Sequence, residues 1–127
     1  MRPEHIWLGK EPRIIDCLEF NDNLRANDPF DEIAFLTLEC ERLGGASVGR
    51  YLRHRLTRAL PNPPPAELFT FYRCHRATLR ARLAVAHLFE KDARTPEKWP
   101  TLARAYLRLV AADAWRLDAL LRGRASR

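Results

Sequence analysis

At 127 residues, with 46% hydrophobic and 30% charged side chains and a formal net charge of +6, the chain has the size and composition of one globular domain rather than of a disordered or fibrous polymer. No apolar run approaches the roughly 18 residues that span a bilayer, and Met1–His5 has no signal-peptide core, so neither a spanning segment nor a secretion signal is expected within these residues. Cys17, Cys40 and Cys74 are odd in number and far apart, with no Cys-x-x-Cys spacing, so they read as reduced thiols of a cytoplasmic protein and not as a disulfide or zinc framework.

In chain order, Ile6-Trp7-Leu8 and Arg13-Ile14-Ile15 are short β-prone runs around a Gly9-Lys10-Glu11-Pro12 turn, the pattern of a hairpin. Asp16 stands at the end of the second strand. His5 precedes the first, and antiparallel pairing brings the start of one strand beside the end of the other, so the two polar groups are expected together at one sheet margin. A lone Asp after a strand also serves as a turn or helix cap.

Asp28 as cap, Pro29 at the first helical position, Asp31 and Glu32 in the first turn and Gly44-Gly45 as terminator predict a helix over 29–43, with Phe30, Ile33, Ala34, Leu36, Cys40 and Leu43 as its apolar stripe. A second helix is predicted over about 47–60, with Val48, Tyr51, Leu52, Leu56 and Leu60 on one side and Arg50, Arg53, Arg55 and Arg58 elsewhere, ending at Pro61-Asn62-Pro63-Pro64-Pro65. The third, over about 66–92, carries Leu68, Phe69, Tyr72, His75, Leu79, Leu83 and Ala86 at helical spacing. Thr95-Pro96 restarts the chain into a fourth helix to about Leu121, leaving Arg122–Arg127 as a frayed tail. Adjacent Cys74 and His75 would point about 100° apart on the third helix, which argues against a shared zinc. The expected fold is mainly α (α+β): an N-terminal β-hairpin, then four helices.

The order Arg2-Pro3-Glu4-His5, strand, turn, strand, Ile15-Asp16, then Asp28-Pro29-Phe30-Asp31-Glu32-Ile33-Ala34 resembles the region after the catalytic loop of the aminoglycoside phosphotransferase-like kinases. It is most similar to a bacterial branch whose loop ends in Arg-Pro-Glu-His and whose strand reads Ile-Asp-Cys-Leu-Glu-Phe, here Ile15–Phe20. The resemblance runs on through Glu39–Gly44 and into Phe71-Tyr72-Arg73 and covers most of the chain. It implies one partial domain, resembling the C-terminal part of a kinase-like C-lobe, with residues 1–20 as a metal-site hairpin and 29–127 as a substrate-side helical region.

Carried over by position, Asp16 matches the carboxylate that holds the magnesium bridging the ATP phosphates, a task for hard oxygen ligands. His5 falls where the family has a metal-binding Asn, a departure because imidazole suits magnesium less well. Glu19 is a third candidate ligand, and Asp31 matches a structural Asp early in a helix that hydrogen-bonds the catalytic loop. Met1 aligns with the Leu of a His-Gly-Asp-Leu loop, so the catalytic-loop Asp is expected upstream of Met1, together with the Gly-rich loop and Lys-bearing strand. Phosphoryl transfer needs those parts together. The chain alone is therefore expected to be inactive, and its partners to be a small-molecule acceptor and a preceding kinase segment. An uncovered hairpin, with Ile6, Trp7 and Leu8 less buried than their types suggest, would favour self-association.

Charge is segregated: residues 1–45 carry a net of −5 and residues 46–127 a net of +11. Arg50, Arg53, Arg55, Arg58, Arg73, Arg76, Arg80 and Arg82 offer a second reading, a non-enzymatic basic helical module for nucleic acid or an acidic partner, with His54 and His75 adding charge at lower pH. Arg outnumbers Lys nineteen to three across the chain, which points to codon preference rather than a phosphate footprint and ranks this reading second. No Gly-x-Ser-x-Gly elbow occurs, so hydrolase chemistry has no support.

Overall fold

The computed structural model describes residues 2–15, 27–90 and 95–125. Two short strands and four α-helices lie among them, so the fold is mainly α with an N-terminal hairpin. They divide into two compact units, Met1–Pro63 and Pro64–Arg127.

In the first unit a single 3-10 turn, Pro3–His5, leads into β1 (Ile6–Leu8), which pairs antiparallel with β2 (Pro12–Ile14). Ile6 stands opposite Ile14, Trp7 opposite Arg13 and Leu8 opposite Pro12. The second strand thus begins one residue earlier than the sequence suggests. Pro12 fits there because the first residue of a strand can do without a ladder donor. Trp7 is 64% exposed and Leu8 83%, whereas Ile6 is half-buried.

α1 (Pro29–Arg42) starts where the polar signals place it: Phe30 N donates to Asp28 Oδ1 at 2.8 Å, and Pro29 needs no donor of its own. Its end is a Schellman motif. Gly44 has φ +84°, Gly44 N donates to Glu41 O at 3.0 Å and Gly45 N to Cys40 O at 2.7 Å. The helix is buried over more than the expected stripe: Phe35, Thr37, Leu38 and Glu39 are buried as well as Phe30, Ile33, Ala34 and Leu36. Leu43 is instead exposed, because it is the cap residue beyond the last helical turn. α2 (Ala46–Ala59) packs on α1. The contact is close at Gly49, where an added Cβ would lie 3.1 Å from Thr37 O.

The second unit is a helical hairpin of α3 (Ala66–Ala86) and α4 (Lys98–Ala125). Contacts between residues 67 and 124, 73 and 113, and 80 and 106 show that the helices run antiparallel. The seam is made of small side chains, Ala77, Ala81, Ala84 and Ala103, closed by Phe69 and Tyr106, all buried. This corrects the expected face of the third helix. Leu68, His75, Leu79 and Leu83 are exposed and Tyr72 is half-buried, since alanines permit a close helix approach that a leucine stripe would prevent.

α3 is also shorter than expected. It ends at Ala86 in a 3-10 turn, His87–Phe89, where the His87 ring stacks on Trp99 with centroids 3.9 Å apart. α4 is longer and continues through the expected tail to Ala125. Arg122 Nε pairs with Asp118 Oδ2 at 2.9 Å one turn back, and cations in the last turn complement the helix dipole.

Candidate functional site

The hairpin margin is the first candidate. Beyond the Ile6–Ile14 pair, Ile15 N donates to His5 O at 2.8 Å, so the residue preceding Asp16 lies beside His5 as antiparallel geometry requires. Asp16 and Glu19 themselves lie outside the described residues. The His5 side chain is half-buried.

Around His5 the electrostatics are already occupied. Glu4 Oε1 accepts from Arg2 Nη2 at 2.9 Å. Partial burial pushes the Glu4 carboxyl upward, but a hydrogen bond from its own backbone amide and the charges of Arg2, Arg42 and His5 outweigh it and hold the group below the usual carboxylate range. Among the described residues no group of three or more His, Cys, Asp or Glu side chains could hold a metal. Those residues therefore do not by themselves fit magnesium: Glu4 is committed to Arg2, and His5 offers a nitrogen where the ion prefers oxygen.

Asp31 lies in the first turn of α1, 9% exposed, and its Oδ2 accepts from Asn27 Nδ2 at 2.9 Å. Asn27 Nδ2 also lies 3.3 Å from Glu32 Oε1. Two acidic side chains thus tie the preceding residue to the helix start. At the other end of α1, Glu39 is 1% exposed and its Oε2 accepts from Arg42 Nε at 3.1 Å and Nη2 at 2.8 Å.

The second candidate is the outer side of α2. Arg50, Arg53, His54, Thr57 and Arg58 recur at helical spacing on one face and line a shallow surface depression. His54, Arg55, Arg58 and Ala59 line another beside it. α2 contains no acidic residue.

The arginines of α3 do not extend this face as expected. Arg73 is buried, and its Nε donates to Asp113 Oδ2 at 3.0 Å within the α3–α4 seam. Arg80 Nε lies 3.5 Å from the Tyr106 hydroxyl oxygen, which accepts. Asp113, 1% exposed, also accepts from Arg116 Nη1 at 2.8 Å through Oδ1. Beside it, burial and then the Asp113 charge raise the Cys74 thiol, against a smaller opposing hydrogen bond from Thr78. Burial and then Glu39 do the same for Cys40. Neither thiol is set up as a nucleophile. Glu39 and Asp113 went unread in the sequence; their one signal was a lone carboxylate inside an apolar helical run, Leu36–Cys40 and Val110–Trp115.

No protein-family profile matches the chain, and no solved structure matches it. Over 73 residues, 58% of this chain, it is 40% identical to uncharacterized proteins of Mycobacterium tuberculosis (Rv2004c) and Mycobacterium bovis (Mb2027c). The match covers 15% of the length of each, so the chain corresponds to a small part of these relatives.

Proposed function

We propose that this chain forms part of the C-lobe of an ATP-dependent kinase that phosphorylates a hydroxyl group on a small molecule, with Asp16 as its magnesium-holding carboxylate. The observation that carries the reading is the hairpin register. Ile6 faces Ile14 and His5 O accepts from Ile15 N, so the strand that precedes Asp16 in sequence is tethered to the segment that follows the catalytic loop in such enzymes. The capped start of α1 and the buried Asp31 support it. The far greater length of the mycobacterial relatives suits a segment that works within a larger protein.

In this reading residues 1–127 contribute positioning. The catalytic base and nucleotide clamp, which residues 1–127 do not include, would supply most of the rate acceleration. The test is binding of ADP with Mn²⁺ in place of magnesium, followed by paramagnetic broadening of backbone amide signals. Broadening should centre on His5 and Ile15 and vanish in Asp16→Asn, while Glu19→Gln retains it. Broadening that survives in Asp16→Asn refutes the assignment.

A further inference from the structure

The count of arginines reflects composition; the absence of any carboxylate from one arginine-rich helix does not. Arg2, Arg13, Arg42, Arg73, Arg116 and Arg122 all lie within 4.0 Å of a carboxylate. Among the described residues Arg50, Arg55 and Arg58 form no ion pair, nor do Arg82, Arg104 and Arg108, but of the four described α-helices α2 alone carries no carboxylate. A general preference for Arg over Lys explains how many cations the chain has, but not why one arginine-rich helix has no carboxylate of its own.

At 100° per residue, Arg50, Arg58, Tyr51 and Arg55 fall within one arc of about 140° on α2. Tyr51 sits between the cations and is 61% exposed, and Val48 is exposed too, so neither joins Leu52 and Leu56 on the packed side as the sequence pattern suggests. The patch spans about 12 Å from Arg50 to Arg58 at the helical rise. The opposite side of α2 is engaged: Gly49 is buried against Thr37, and Leu52 and Leu56 are half-buried. The helix thus has no free apolar face to lay into a membrane, as a surface-binding helix requires.

We infer that the outer face of α2 binds single-stranded nucleic acid, Arg50, Arg55 and Arg58 neutralising successive phosphates while the Tyr51 ring stacks on an unpaired base. Both elements belong to single-strand recognition: a cationic track for the backbone and an aromatic platform that a duplex, with its bases already stacked, cannot use. This site is independent of Asp16 and goes beyond the kinase reading.

The test is fluorescence anisotropy of the 127-residue protein with a labelled dT12 oligonucleotide between 50 and 200 mM NaCl. Three phosphate contacts on a single strand give a log–log slope of about −2.1, which is about a 20-fold loss of affinity over that range. Arg50→Ala/Arg58→Ala should reduce the slope to about −0.7 and the loss to about threefold. Arg50→Lys/Arg58→Lys should keep the wild-type slope. Tyr51→Ala should weaken binding about fivefold or more without changing the slope. The affected side chains are exposed, so circular dichroism should show unchanged helicity. Four outcomes overturn the proposal: no binding at 50 mM NaCl, a slope unmoved in Arg50→Ala/Arg58→Ala, tighter binding to a duplex of the same length, or tighter binding to phosphatidylglycerol vesicles.

Discussion

Replacing Asp113 by Ala should be among the most damaging single changes to the helical hairpin of α3 and α4. The carboxylate is 1% exposed and faces two guanidinium groups, Arg73 at 3.0 Å and Arg116 at 2.8 Å. The two are not equivalent. Arg116 is 56% exposed, where water and salt screen the pair, so it contributes under about 1 kcal/mol. Arg73 is only 8% exposed, and removing Asp113 strips this buried cation of its carboxylate, which costs about 3–5 kcal/mol. A unit spanning Pro64–Arg127 has a total stability of roughly 3–10 kcal/mol, so the change removes a third of it or more. In thermal terms that is a fall of about 12 °C or more.

Urea unfolding followed by circular dichroism at 222 nm, with the fluorescence of Trp99 and Trp115 reporting on this unit, measures the effect. Arg116→Ala should shift the midpoint little, and Arg73→Met/Asp113→Leu should recover most of the loss by replacing the pair with apolar groups. The reasoning fails if Asp113→Ala costs less than about 1 kcal/mol, or if Arg116→Ala costs as much as Asp113→Ala.

Asp28→Ala should cost about 1 kcal/mol in urea titrations, because the Phe30 amide loses its capping oxygen, whereas Asp28→Ser should be nearly neutral. Gly49→Ala sets a helix-propensity gain of about 1 kcal/mol against an added Cβ 3.1 Å from Thr37 O and 3.2 Å from its Cα. Backbone atoms yield little, so the net result should be destabilisation of roughly 1 kcal/mol, and a stabilised variant would show that α1 and α2 separate readily. The Cys74 thiol is raised by burial and by Asp113, so its alkylation by iodoacetamide at pH 8 should be slower than that of a free thiol and should speed up in Asp113→Asn. The sign for stability follows: a thiol whose folded value lies above the ordinary 9.0 favours the folded state fully below pH 9, and that contribution is lost as pH rises through the folded value. Denaturation midpoints measured from pH 8 to pH 10 should therefore fall, and less steeply in Cys74→Ala.

Local chemistry alone determined the elements of this protein and most of their ends. Alternation around a Gly-Lys-Glu-Pro turn makes the hairpin, Asp28-Pro29 and Gly44-Gly45 bound α1, and the prolines from 61 to 65 separate α2 from α3. Each of these acts within one turn of backbone, so no distant residue is needed to read it. The hairpin half of the candidate site was legible for the same reason, since pairing order alone sets His5 beside the residue before Asp16.

Tertiary structure decided which faces meet. On α3 the leucine stripe has the stronger periodicity, yet the alanine face forms the seam, because close packing against α4 depends on the partner's shape as much as on hydrophobicity. Likewise Arg73 is adjacent in sequence to the aromatic run Phe71-Tyr72 and reads as surface charge. Only the antiparallel return of α4 supplies Asp113, forty residues on, and turns that charge into a buried tie, whereas α2 has no carboxylate in its own sequence.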